Sequence, residues 1–196
     1  MVKYMTYFLV ILLLSFSSSA FAEKTILAGG CFWCMESDFE KLGGVTDVIS
    51  GFTGGTADNP TYNGDHTGHY EAVEITYDRD KISYQELLDH YWINIDPFDA
   101  RGQFCDKGPS YLSAIFVATP EERIIAEASK KAVAKRLPDN NVVTPILDAS
   151  VFYPIQGKES YHQDYYKNNP LRYKTYRWRC GRDARLKEIW GDTATH

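Results

Sequence analysis

Cys31 follows a short apolar run, Thr25 to Ala28, and a double glycine, and it opens a segment that reads as a helix. A cysteine placed there has free backbone N–H groups and the positive end of the helix dipole beside its sulfur. Both favour the thiolate, which predicts a thiol drawn from ~8.5 toward neutrality and ready for nucleophilic, redox or metal chemistry. Cys34 lies three residues on, completing a CxxC, and Cys105 and Cys180 are the other two cysteines. A bridge across CxxC closes almost no loop and gains little entropic stabilisation, so the spacing speaks for redox or metal chemistry rather than for a staple. Two structural disulfides are the plainer alternative, but a chain of 196 residues has length enough for a core without them. Phe32 and Trp33 stand at the mouth of the helix rather than on a core stripe, which argues against an inert buried cysteine.

Two rival chemistries share the CxxC. A thioredoxin-like oxidoreductase needs a proline facing the pair, and Thr144-Pro145 lies too far along the chain for that compact plan. A zinc site can be drawn from Cys31, Cys34, His66 and His69. Its His-x2-His spacing is tighter than the usual three to five, and a metal would block the nucleophile. No bound metal is expected, and His69 and His162 read as structural hydrogen-bonding groups.

The elements that must position Cys31 follow from patterning. Val45 to Phe52 and the alternating Ala72–Tyr77 read as strands, as do Tyr111–Ala118 and, at an edge because of Pro145, Val142–Leu147. The first helix is predicted from Cys31 to Leu42, where Gly43-Gly44 stops it. Ser83-x-x-Glu86 is a capping box for a helix with Leu87, Leu88, Tyr91, Trp92 and Ile95 on its apolar face. Thr119-Pro120 opens another, with Ile124, Ile125, Ala128, Ala132 and Val133 as its apolar face. Ser160 to Lys167 reads as a short aromatic helix, followed by a tail. Two polar stretches, 58–69 and 96–110, are loops. The order predicts an α+β fold, a two-layer sandwich with a mixed sheet and a ferredoxin-like, split βαβ core.

The formal charge is -5 and no Lys/Arg-rich block occurs, which excludes a nucleic-acid footprint. Lys3 is the one charge before Glu23, and Phe8–Leu14 is uninterrupted apolar sequence leading to Ala20-Phe21-Ala22. That run is short of the ~20 residues of a membrane span and matches a signal peptide with its cleavage site. Residues 1–22 are therefore expected to be a signal peptide, or alternatively an uncleaved anchor, and residues 23–196 a single catalytic domain of a periplasmic or secreted protein. Loss of Lys3 takes the charge from -5 to -6.

Gly30-Cys-Phe-Trp-Cys34 and Met35–Glu40 resemble the GCFW signature of A-type methionine sulfoxide reductases. The resemblance continues through Ser50–Gly55, Asn59–Tyr62, Thr67–Glu71, Gly102–Asp106, Tyr111, Tyr161–Tyr165 and Tyr176–Asp183, covering essentially the whole mature chain. It implies reduction of methionine-S-sulfoxide in proteins, and of the free amino acid, with Cys31 as nucleophile. Phe32 and Trp33 fall where the family has its pocket for the S-methyl group. Glu71 falls at the acid for the sulfoxide oxygen, Tyr62 and Tyr111 at its hydrogen-bond partners, and Asp106 at a further polar position. Such chemistry leaves Cys31 as a sulfenic acid, which a second cysteine must resolve. Cys34 is the first choice, Cys180 the second, and a relay that includes Cys105 stays open. The implied partners are oxidised protein or peptide methionine and a thioredoxin-like thiol donor, with no cofactor, and a monomer is expected.

Overall fold

The strand–helix alternation closes into a split βαβ core. The structure, a computed structural model, describes residues 22–194. The expected signal peptide lies outside the described residues except for Ala22, which opens the first strand. In chain order the elements begin with β1 (Ala22–Gly29), α1 (Phe32–Phe39), β2 (Val45–Thr53), β3 (Tyr70–Asp78) and α2 (Tyr84–Trp92). There follow the two-residue strands β4 (Gly102–Gln103) and β5 (Asp106–Lys107), then β6 (Ser113–Val117) and α3 (Pro120–Arg136). The chain ends with β7 (Ile146–Asp148), β8 (Tyr153–Pro154), α4 (Tyr165–Asn168), α5 (Pro170–Arg179) and α6 (Arg182–Trp190).

The main sheet has the order β7-β6-β1-β3-β2-β8, and β4 pairs with β5 as a separate small ribbon. β3 is inserted antiparallel between β1 and β2, and β1 between β3 and β6. These are the two interlocked βαβ units of a ferredoxin-like core. β7 adds a parallel edge beside β6, so the sheet is mixed as expected.

One face of the sheet carries Leu27, Val48, Phe52, Val73, Ile75 and Ile115 against Met35 and Phe39 of α1 and Leu87, Leu88 and Tyr91 of α2. The other carries small residues, Ala28, Ala72 and Ala114, with Phe116. The α2 capping box forms: Glu86 N donates to Ser83 Oγ at 3.2 Å, and Ser83 N donates to Glu86 Oε2 at 2.8 Å. Tyr91 Oη donates to Ala28 O at 2.8 Å, tying α2 to the strand that leads into Cys31.

Three expectations are corrected. The buried face of α3 is Ala126, Ser129 and Val133, and Ile124 is exposed. The helix is turned toward Trp92, whose indole N–H donates to Ser129 Oγ at 2.7 Å. Tyr111 closes a 3-10 turn, Pro109–Tyr111, and does not begin β6. The C-terminal tail is two helices, α5 and α6, which lay Tyr173, Arg177, Arg182, Leu186 and Trp190 against the domain.

An ion cluster fastens these helices. Asp38 of α1 accepts from Arg177 Nη1 at 2.9 Å and lies 3.7 Å from Arg182 Nη2, all three side chains being buried. Removing one member of a buried ion cluster leaves uncompensated charge and costs about 3–5 kcal/mol. Asp38→Asn is therefore expected to lower the urea midpoint by that order of free energy. A loss below about 1 kcal/mol, near the worth of an exposed ion pair, would show that the cluster does not hold the helices.

Candidate functional site

Gly30 adopts φ +83, and a Cβ there would stand 2.5 Å from Gln103 Cβ. Only glycine satisfies both constraints, so the β4–β5 ribbon packs directly on the turn before Cys31. Gln103 is locked in place, its Oε1 accepting from Asp96 N and its Nε2 donating to Asp96 O, each at 2.8 Å. Cys31 is the N-cap of α1, and its carbonyl accepts from Cys34 N at 3.0 Å and Met35 N at 3.3 Å.

The next free N–H of the helix, that of Phe32, donates to Glu71 Oε2 at 3.1 Å. Glu71 reaches it from β3 and is 3% exposed. Burial pushes its carboxyl from an ordinary 4.5 up to about 8, against the pull of the Phe32 N–H and a hydrogen bond with Tyr111. At neutral pH Glu71 is thus mostly a neutral acid. Tyr62 is pushed to about 12, chiefly by burial and by Glu71, and Tyr111 is pushed up for the same reasons. Both phenols remain neutral donors.

Phe32 is buried against Phe52, Tyr62 and His162, with ring centroids 6.0, 6.1 and 5.5 Å away. Trp33 donates its indole N–H to His162 Nδ1 at 2.9 Å and stacks on Tyr165 at 3.8 Å. The Tyr62 loop is pinned by Glu159, which accepts from Tyr62 N at 2.7 Å and Asn63 N at 2.9 Å. Glu36 of α1 holds the segment bearing His162 and Tyr165, accepting from Asp164 N at 2.9 Å and Ser50 Oγ at 3.2 Å.

Cys31 and Cys34 are both buried, free thiols packed in one cluster. The expected lowering of Cys31 by the helix start is overridden: burial, then the Cys34 hydrogen bond, pushes its thiol up. Cys34 is drawn down to about 7 by the hydrogen bond from Cys31, with further help from the Arg182 and Arg177 charges against its burial. The first negative charge of the pair thus falls on Cys34, one helical turn inside α1.

Cys105 and Cys180, the other cysteines considered for resolution, are joined in a disulfide with Cα atoms 4.9 Å apart across 75 residues. Neither offers a thiol while that bond stands, so the second-choice resolver Cys180 is not free, and Cys34 is the thiol that touches Cys31. Among the described residues Cys31, Cys34, His66 and His69 do not converge on a metal position. His69 instead makes hydrogen bonds of 3.3 Å with Gly55 N and 2.9 Å with Ala57 O. Asp106 lies on β5, its carboxyl raised by burial and accepting from Tyr176 Oη. Tyr176 sits edge-on to Trp33 at 5.7 Å and packs against the cluster that holds Cys31 and Cys34. It was missed as a site residue because Tyr176–Asp183 stood in the tail with no helix to aim it.

A buried thiol beside a neutral carboxylic acid, two phenols and an aromatic wall, on a split βαβ core, defines a thiol oxidoreductase for a small polar group carried on an apolar one. The sequence profile described as Peptide methionine sulfoxide reductase matches residues 23–194. A peptide methionine sulfoxide reductase MsrA 2 from Caulobacter vibrioides is 53% identical over 172 residues, 86% of each chain. Among solved structures, methionine sulfoxide reductase A of Corynebacterium diphtheriae is similar with TM-score 0.66 and 31% identity over 76% of both chains. Mxr1 from Saccharomyces cerevisiae in complex with Trx2 shares the fold at TM-score 0.50 and 18% identity, over 74% of this chain and 84% of that one. The chain belongs to the peptide methionine sulfoxide reductase family, A type, and is an oxidoreductase acting on methionine sulfoxide.

The Glu71 environment has a thermodynamic signature. Its folded value, about 8, lies above the ordinary 4.5, so between those pH values the folded state holds a proton that the unfolded state has lost. Stability from Glu71 is therefore full below about pH 4.5 and declines until about pH 8. In urea unfolding, the parent should lose stability relative to Glu71→Gln as pH rises through this window. A pH-independent difference would show that Glu71 titrates normally.

Proposed function

We propose that this protein reduces the S epimer of methionine sulfoxide in exported proteins, with Cys31 as nucleophile and Cys34 as resolving thiol. The observation that carries the reading is the neutral, buried Glu71 held by the Phe32 N–H one residue from the Cys31 sulfur. A sulfoxide sulfur is a poor electrophile until its oxygen is protonated or strongly hydrogen-bonded. Glu71 supplies the proton, and Tyr62 and Tyr111 supply further donors. Phe32 and Trp33 receive the S-methyl group. Attack by Cys31 sulfur on the sulfoxide sulfur transfers the oxygen: methionine leaves and Cys31 becomes a sulfenic acid. Cys34, drawn toward thiolate, attacks the Cys31 sulfur, and the S–O bond breaks to release water. A Cys31–Cys34 disulfide remains, and a thioredoxin-like dithiol reduces it by exchange.

Support for that donor comes from the yeast relative solved with Trx2. Support for export is the amino-terminal pattern of Lys3, Phe8–Leu14 and Ala20-Phe21-Ala22. An oxidising compartment lacks a free reduced thiol pool, so the donor there is one recharged from the membrane.

The reading is tested with separated epimers. Reduction of the S form with little of the R form is expected, because one enzyme serves each epimer; preference for R would refute it. Cys31→Ser is expected to abolish methionine formation, and activity comparable to the parent would mean a different nucleophile. Cys34→Ser is expected to yield one methionine per enzyme and then stall with a thioredoxin-like donor, while dithiothreitol restores turnover. Normal recycling of that variant would transfer the resolving role elsewhere.

A further inference from the structure

Glu71 stands on β3 and Tyr111 closes the turn before β6, but Tyr62 is carried by the loop joining β2 to β3. The tip of that loop faces solvent at Thr61, Asn63, Gly64 and Asp65. An exposed tip samples many conformations, and a phenol on it would not by itself hold one position. The bonds from Thr61 N to Asp65 O and from Gly64 N to Thr61 O, each 3.3 Å, close the tip on itself and do not tie it to the domain. Glu159, 97 residues from Tyr62, makes that tie. Its Oε2 accepts from Tyr62 N at 2.7 Å, and its Oε1 accepts from Asn63 N at 2.9 Å and Asn63 Nδ2 at 3.1 Å. The two backbone N–H groups flank the Tyr62 Cα, so one carboxylate fixes the direction in which the side chain leaves the chain. Glu159 belongs to the 3-10 turn Gly157–His162, in which residues i and i+3 eclipse. The residue three on is His162, whose ring meets the Tyr62 ring at 4.0 Å and whose Nδ1 takes the Trp33 indole N–H at 2.9 Å. One turn thus grips Tyr62 by its backbone and by its ring, and is itself referenced to the helix that follows Cys31.

We propose that Glu159 is a positioning residue for sulfoxide reduction, a clasp on the 62–63 backbone that holds the Tyr62 hydroxyl where the sulfoxide oxygen arrives. It touches no reacting atom and acts through Tyr62. The task suits a carboxylate. Both of its oxygens accept, and hydrogen bonds to an ionised acceptor are about twice as strong as neutral ones. A glutamine offers one oxygen and sets its own N–H groups against a backbone N–H. Burial pushes the Glu159 carboxyl up, but the Asn63 and Tyr62 N–H bonds outweigh it and hold the group below the ordinary 4.5. The clasp is therefore charged at neutral pH. A donor already aimed at the developing charge needs no reorganisation during reaction. Misplacing such a group by about 1 Å can cost about 10²-fold in rate. The clasp rests on the reading of Tyr62 as a donor to the sulfoxide oxygen.

The test uses the full chain and a peptide carrying methionine-S-sulfoxide, in single turnover without reductant and in steady state with dithiothreitol. Glu159→Ala is expected to slow methionine formation at saturating peptide by up to about 10²-fold, with KM little changed. Glu159→Gln, which keeps one accepting oxygen, should fall between that variant and the parent. Tyr62→Phe keeps the ring against Phe32 and His162 and removes the hydroxyl, so it sets the floor. Adding Glu159→Ala to Tyr62→Phe should cost nothing further, since a residue that acts only through that hydroxyl is coupled to it. A merely structural glutamate would instead cost the same factor in both backgrounds. Urea unfolding of each variant separates loss of fold from loss of position, and Glu159→Gln carries the same comparison should Glu159→Ala fold poorly. Parental rates in both Glu159 variants, a loss confined to KM, or an equal loss with and without the Tyr62 hydroxyl would overturn the clasp. Failure of the Tyr62 reading shows separately, as parental methionine formation in Tyr62→Phe alone.

Discussion

The hydrogen bond from Phe32 N–H to Glu71 joins the first turn of α1 to the middle of the sheet, and the geometry of the site depends on it. A buried carboxyl needs a partner, and a helix start has N–H groups without one. Each satisfies the other, which sets the acid one residue from the sulfur without a cation nearby. A lysine or arginine at that point would have pulled Glu71 back to the ordinary carboxylate range. An amide leaves burial in charge, and the carboxyl stays up at about 8. Burial sets the acid strength here, and the amide partner offsets it only in part.

The position of β1 makes that contact possible. Being central, β1 carries the chain to the sheet end between β3, which brings Glu71, and β6, whose preceding turn brings Tyr111. The third side of the site comes from the C-terminal helices, which the ferredoxin-like core does not contain. They are anchored by charge: Arg177 and Arg182 reach Asp38, and Arg182 also donates to Asn94 O at 2.6 Å. The same two guanidinium groups lie close enough to pull Cys34 down. The anchor of the cover and the bias on the second thiol are thus one set of charges.

Much of this was legible in the sequence, for reasons that are local. The capping box at Ser83, the alternation through Ala72–Tyr77 and the Gly-Gly turn before Cys31 are each determined within a few residues, and each appears in place. The C-terminal helices were not legible. Their buried stripes run Tyr173–Arg177 and Arg182–Leu186–Trp190, and arginines at core positions break the apolar period on which a helix is recognised. Only knowledge of Asp38, 139 residues away from Arg177, turns those arginines into buried ones. The Cys105–Cys180 bond was hidden for the same reason, since pairing across 75 residues is tertiary information. The α3 face was misread because Ser129 is buried through a hydrogen bond to Trp92, a polar contact that periodicity counts as exposed.

The Cys31 thiol shows where local reasoning stops. A helix start favours thiolate, yet the sulfur is buried, and burial of an anion without a cation costs more than one helix terminus returns. With Arg177 and Arg182 behind Cys34, the favourable place for the first negative charge is the sulfur one turn deeper. A reaction that begins on Cys31 must therefore relocate a proton as substrate arrives, and one that ends on Cys34 finds its thiolate waiting. Two carboxyls of the site are raised by burial: Glu71, held by the Phe32 N–H, and Asp106, held by the Tyr176 hydroxyl. The low dielectric that raises both carboxyls also keeps the Cys31 thiol protonated.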